Sequence, residues 1–170
     1  MPQVGSAGQR KLLDAKVLMV GAGGLGSPAL LYLAAAGVGK LTLVDNDNVE
    51  LSNLQRQILY KVNHLGQAKT QAASKVLASL NNQISIEPIC QRLDEKNLAD
   101  VLQGVDIVLD CSDNFATRYL INRYCLAHTI PLISAAAIAT QGQLMCFDFR
   151  NSDSPCYGCV FPQTDDQPVL

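Results

Sequence analysis

The sequence predicts an α/β domain of the Rossmann-like, doubly wound kind: a mostly parallel sheet with helices on both faces. Three observations predict it. "KVLMV" (Lys16–Val20) is a continuous apolar run of strand length and "VDIVLD" (Val105–Asp110) reads as a further buried strand, which suits strands covered on both sides. "GAGGLG" (Gly21–Gly26) directly follows the first of these runs and opens a helical pattern. Strand-like and helix-like segments then alternate through Phe149, which calls for parallel strands joined by right-handed crossovers.

The elements follow in order. Residues 1–15 are polar and mixed, and "GQRKLLDA" reads as the end of an N-terminal helix. After the glycine turn, Leu25, Ala29, Leu33 and Ala36 keep helical spacing, and Pro28 fits only a first turn, where its missing N–H is unneeded. "KLTLVD" (Lys40–Asp45) is the second strand. Gln67–Leu80 is helical, with Ala68, Ala72, Val76 and Leu80 on one stripe, and "QISIEPI" alternates as a strand. Asp94–Gln103 reads as a helix, Asn114–His128 as another, and "PLISAA" and Gly142–Phe149 as strands. There is no internal repeat or low-complexity segment. Residues 150–170 read as a loose tail.

Length, at 170 residues, argues for one domain spanning 1–170, and a 48% hydrophobic composition supplies a core. A net charge of −2 leaves no basic footprint for nucleic acid. No run of 18 apolar residues offers a membrane span, and the N-terminus lacks a secretory pattern, so a cytoplasmic location is expected. Cys90, Cys111, Cys125 and Cys146 stand alone among apolar neighbours and read as buried small hydrophobes.

The chemistry gathers after the strands. In a strand–turn–helix setting, Gly21 permits the sharp turn, Gly23 lets a phosphate approach the backbone, and the helix start adds bare N–H groups. Asp45, ending the second strand, can accept from ribose hydroxyls. These features indicate an adenine nucleotide, with NAD as the rival to ATP. The segment "DNDNVELSNLQRQ" adds Asp47, Asn53, Arg56 and Gln57, and "GQAK" adds Lys69 at a helix start. Arg56 can grip a phosphate bidentately and Lys69 offers a point charge; either alone reads more readily as a solvated surface charge, and it is their coincidence that points to a site. Asp113, past the third buried strand, either caps the next helix or joins phosphates through Mg²⁺, which takes one or two carboxylates plus phosphate oxygens. His64 and His128 are given no role.

At "VLMVGAGGLGSPALLYLAAAGVGKLTLVDNDNVELSNLQRQ", "GQAK", "VDIVLDCSDNFATR" and "CYGC" the chain resembles the ThiF/MoeB/HesA family, bacterial relatives of ubiquitin-activating enzymes. The resemblance covers nearly all of residues 5–160. It implies ATP-dependent adenylation of the C-terminal glycine carboxylate of a small ubiquitin-like sulfur-carrier protein ending in Gly-Gly, as in thiamin or molybdopterin biosynthesis. It implies that Gly21, Gly23, Gly24 and Gly26 form the nucleotide turn and that Asp45 binds ribose. It assigns Asn53, Arg56 and Lys69 to the phosphates and Asp113 to Mg²⁺. The residue types suit the reaction. The nucleophile is already an anion, and two unit charges ~4 Å apart repel by about 4 kcal/mol at an effective dielectric of 20. Arg56, Lys69 and a metal can offset that repulsion.

"CYGC" places Cys156 and Cys159 at zinc-knuckle spacing, half of a four-ligand site; an unmetallated pair and a redox pair are the alternatives. Against the family pattern, the chain opens after the helix that would carry an "R-Y-x-R-Q" segment and stops before a second C-x-x-C. It therefore reads as an adenylation core whose activity alone would be reduced, and whose family homodimer would be incomplete. A catalytically reduced binding module for a ubiquitin-like partner and an NAD-binding domain are the competing readings.

Overall fold

The structure, a computed structural model, describes residues 4–163. Six strands form one sheet in the order β3-β2-β1-β4-β5-β6. They are β1 (Lys16–Val20), β2 (Lys40–Val44), β3 (Ser85–Ile89), β4 (Ile107–Asp110), β5 (Leu132–Ile138) and β6 (Gln141–Phe147). The first five pair in parallel and β6 runs antiparallel to β5 along the edge. The order reverses between β1 and β4, so the crossovers after those two strands leave in opposite directions and open a crevice at their carboxyl ends.

Helices cover both faces, as the apolar strands require. Successive β1 side chains point to opposite sides. Val17 and Met19 pack with Leu41 and Leu43 against α2 (Gly26–Ala36) and α3 (Lys69–Leu80), through Leu30, Ala34, Ala72, Ala73 and Leu77. Leu18 and Val20 pack with Val108 and Leu132 against α5 (Phe115–Ala127), through Ile121 and Cys125. Burying one Leu- or Ile-sized side chain contributes roughly 1.5–3 kcal/mol, so the strand alternation alone commits each crossover to a face.

Three expectations need correction in detail. The helix expected over Asp94–Gln103 is the single turn α4 (Leu98–Val101). Asp94 and Asn97 side chains accept from each other's backbone N–H at 3.1 and 2.9 Å, closing a local turn that competes with helix. Cys90 and Cys146 are exposed, not buried. Cys90 follows edge-side β3, and Cys146 lies on the outward side of β6 between partly buried Met145 and buried Phe147. Cys125 is buried as expected.

The N-terminal helix, α1, spans Gly5–Asp14. Of the segment expected to be loose, residues up to 163 are described. They include α6 (Tyr157–Val160), whose Tyr157 is buried against Phe147 and Tyr119. The "QTDDQPVL" stretch falls, from Thr164 on, outside the described residues. Among the described residues no helix is long and apolar enough to cross a membrane.

Candidate nucleotide site

The site is built on the carboxyl ends of β1, β2 and β4. β1 stops at Val20 because Gly21 turns with φ +88°, a left-handed conformation that favours glycine. A Cβ on Gly21 would stand 2.6 Å from the Cys111 carbonyl oxygen, in the loop after β4, and one on Gly26 would stand 2.0 Å from the Gly21 carbonyl oxygen. Both glycines are thus required by close backbone approach.

The turn is tied to β2 by Asp45. One carboxylate oxygen accepts from Ala22 N–H at 2.8 Å and the other from Asp47 N–H at 2.8 Å. Burial pushes the Asp45 carboxyl above its ordinary range, while those two hydrogen bonds and the Lys69 charge hold it back. Each oxygen keeps a lone pair for a further donor such as a ribose hydroxyl.

Lys69 begins α3 as expected, but it is not a solvated charge. Its side chain is 5% exposed and its ammonium lies 2.7 Å from Asp47 Oδ2, a carboxylate that is 58% exposed. Two backbone links, Lys69 N–H to the Asp47 carbonyl (2.9 Å) and Val49 N–H to the Gln67 carbonyl (2.8 Å), hold α3 against the loop after β2.

The stretch containing Asn53, Arg56 and Gln57 folds back over the glycine turn. A 3₁₀ turn at Leu51–Asn53 aims it, and the Asn53 carbonyl accepts from both Arg56 N–H (3.1 Å) and Gln57 N–H (3.0 Å). The Arg56 side chain passes 3.6 Å from where a Gly24 Cβ would be, and the Gln57 carboxamide 3.7 Å from where a Gly23 Cβ would be. Residues separated by more than thirty positions in the chain therefore form the two walls of one cradle. Arg56 is exposed, with a single 3.4 Å bond to the Ser52 carbonyl, and is free to turn toward a ligand. Gln57 is buried and its Oε1 has no partner among the described residues.

Asp113 lies exposed in the loop after β4, at the same edge, with one long contact of 3.4 Å from Asn114 Nδ2. The helix cap is Asn114, whose Oδ1 accepts from Thr117 N–H at 2.9 Å, so capping is not Asp113's role. Its carboxylate has no ion-pair partner among the described residues, and a single such carboxylate is of the kind Mg²⁺ takes alongside phosphate oxygens. Among the described residues no three His, Cys, Asp or Glu side chains gather as a metal cage.

Cys156 and Cys159 belong to another part of the fold, where α6 packs on α5, with their sulfurs 3.3 Å apart. Burial raises the Cys156 thiol, but hydrogen bonds from Cys159, Asn122 and the backbone outweigh it and bring the thiol below its ordinary range. They supply two of the four ligands a structural zinc takes, and the described residues do not complete such a site.

The ThiF family profile matches residues 1–169. The chain belongs to the ThiF family. Its ThiF relatives include the SAMP-activating enzyme E1 of Haloferax volcanii, 45% identical over 166 residues, covering 98% of this chain and 60% of that protein. The sulfur carrier protein ThiS adenylyltransferase of Escherichia coli is 47% identical over 159 residues, covering 94% of this chain and 63% of that protein. The chain thus spans less than two thirds of these relatives' length. Among solved structures, E. coli MccB with succinimide superposes with a TM-score of 0.82 at 29% identity, covering 91% of this chain and 46% of that one. E. coli MccB with ATP superposes with a TM-score of 0.71 at 31% identity, covering 76% of this chain and 39% of that one. The doubly wound fold of this ThiF domain is therefore shared with the MccB structures.

Sequence reasoning missed three residues that shape the site. Tyr60, 4% exposed, donates from its hydroxyl to the Ala22 carbonyl at 2.8 Å. Asp110, 1% exposed, accepts from Ser112 N–H (3.0 Å) and Ser112 Oγ (2.6 Å). Arg118, buried in α5, donates to the Ser112 carbonyl and lies over the Phe115 ring. Asp110 and Arg118 together fix the loop carrying Asp113. An arginine in the middle of a buried helical pattern was a signal for Arg118; Tyr60 had none that separates it from a core aromatic.

Proposed function

We propose that this domain binds Mg–ATP at the carboxyl ends of β1, β2 and β4 and adenylates the C-terminal glycine carboxylate of a small ubiquitin-like sulfur-carrier protein. One observation carries the reading: Arg56 and Gln57 fold over Gly23 and Gly24 while Asp45 grips the same turn. The names of the ThiS adenylyltransferase and the SAMP-activating enzyme support the class of reaction.

A carboxylate oxygen of the carrier attacks the α-phosphorus. The bond from that phosphorus to the bridging oxygen breaks, pyrophosphate leaves, and the carrier retains AMP as an acyl-adenylate. The nucleophile is already an anion, so no base is needed. Arg56, mobile and exposed, moves onto the phosphates, and Lys69 presents its charge from the α3 start. Asp45 receives the ribose hydroxyls. Asp113 would hold Mg²⁺ with phosphate oxygens, and that ion would supply charge neutralisation on the leaving pyrophosphate. Asn53 shapes the loop through its carbonyl, so its contribution to phosphate binding runs through Arg56 and Gln57. The Cys156–Cys159 pair would bring two ligands to a zinc completed from outside the described residues. A homodimer and a cytoplasmic location belong to the same proposal.

The test is ATP–pyrophosphate exchange with a panel of Gly-Gly-tailed carriers. Exchange that needs both this chain and one carrier is expected. ATP binding without exchange for any carrier would favour a binding module instead, and preferential binding of NAD over ATP would overturn the nucleotide assignment.

A further inference from the structure

The Ala22 carbonyl is held by two hydroxyls, Tyr60 at 2.8 Å and Ser27 at 3.2 Å, both on buried side chains. That carbonyl shares a peptide unit with the Gly23 N–H. In a trans peptide the two point in opposite directions. Among the described residues no acceptor takes the Gly23 N–H. The preceding N–H, that of Ala22, is by contrast fully occupied by Asp45. One backbone donor of the turn is therefore sealed inward and the next is displayed outward.

We infer that Tyr60 is a positioning residue: by pulling the Ala22 carbonyl into the fold, its hydroxyl aims the Gly23 N–H at a phosphate oxygen of the bound nucleotide. The inference rests on the nucleotide-binding reading above. Tyr60 suits the task because it lies in a dry place where its proton is not lost. Burial, and the nearby Asp45 and Asp47 carboxylates, push the phenol well above its ordinary range, so the hydroxyl donates at any physiological pH. Tyr60 also ends the stretch that carries Arg56 and Gln57, with its N–H bonded to the Gln57 carbonyl at 3.1 Å. One side chain thus keeps the two walls of the cradle in step: the wall that offers a backbone N–H and the wall that offers a guanidinium.

The variant Tyr60→Phe keeps the ring and removes the donor. Dissociation constants for ATP and for adenosine, which has no phosphate, separate positioning from plain structural support. ATP affinity is expected to fall about five- to ten-fold while adenosine affinity stays within about two-fold, in line with the loss of one well-aimed hydrogen bond. Equal weakening of both ligands, or no weakening of either, would overturn the role. A second measurement needs no variant: the Gly23 amide proton of the wild-type chain should shift downfield with ATP and not with adenosine, and an unmoved amide would overturn the inference. Wild-type protein that binds no ATP at all would instead sink the nucleotide reading, and this inference with it.

Discussion

The two walls of the cradle differ in how their polar groups are held. On the β1 side, Asp45 takes the Ala22 N–H, Tyr60 and Ser27 take the Ala22 carbonyl, and Gly21 and Gly26 sit where no other side chain fits. On the opposite side, Arg56 has one 3.4 Å bond to its own loop and is exposed; Asp113, in the loop after β4, is likewise exposed with one 3.4 Å contact with its neighbour. Preorganised dipoles cost nothing to orient when a ligand arrives, whereas an exposed guanidinium loses rotamer freedom but, in the proposed reaction, would be able to follow charge as it moves from triphosphate to pyrophosphate. Substitutions on the ordered wall should accordingly be felt in binding and stability, and those of exposed charges in the rate of the proposed charge-moving step.

The largest expected effect tests the exposed charges. Arg56→Ala and Asp113→Ala should each lower carrier-dependent ATP–pyrophosphate exchange by about 10²–10³-fold, with thermal stability unchanged because neither side chain supports the fold. A fall of less than about three-fold would break the contrast. Next comes the ordered wall. Gly26→Ala puts a methyl group 2.0 Å from a backbone oxygen and should cost about 2–3 kcal/mol in denaturant unfolding. An undiminished unfolding midpoint would show that this turn yields more easily than its contacts imply.

The smallest effect concerns whether the ordered wall opens at all. The Cys111 carbonyl lies behind Gly21, and burial, with the Asp110 charge, pushes the Cys111 thiol up to about 12. A raised thiol is the neutral form below that pH, so at about pH 8 only about one molecule in ten thousand carries the thiolate that reacts. Cys125, also pushed up to about 12 by burial, should behave the same way. Brief alkylation followed by mass mapping should therefore modify exposed Cys90 and Cys146 and spare Cys111 and Cys125 until the chain unfolds. Early labelling of Cys111 would mean that the turn and the β4 loop separate in the native state.

The alternation of strands with helices and the position of the glycine turn were readable because they depend on local patterns: strand-length segments that end before Gly21 and at Asp110, and a Gly-x-Gly placed between strand and helix. Asp45, Arg56, Gln57 and Lys69 were readable for a related reason, since each closely follows a strand end or opens a helix, and topology brings all such positions to one edge. What stayed hidden depends on contacts between segments. Tyr60 looks like any core aromatic until its hydroxyl is found against Ala22. Cys146 looks apolar by its neighbours, yet antiparallel β6 turns it outward. Asp94 and Asn97 suit a helix by spacing but hydrogen-bond each other's backbone first, which shortens α4 to one turn.

The pairing of Lys69 with Asp47 sets a limit on how tightly any anion can be held there. An ammonium that already has a carboxylate at 2.7 Å gains from a phosphate only the margin by which the newcomer is the better partner. In the proposed reaction the same arrangement would help at the other end of the cycle. On departure of pyrophosphate the lysine would not be left bare, because Asp47 stands ready to reclaim it, and release would be made easier at the cost of grip.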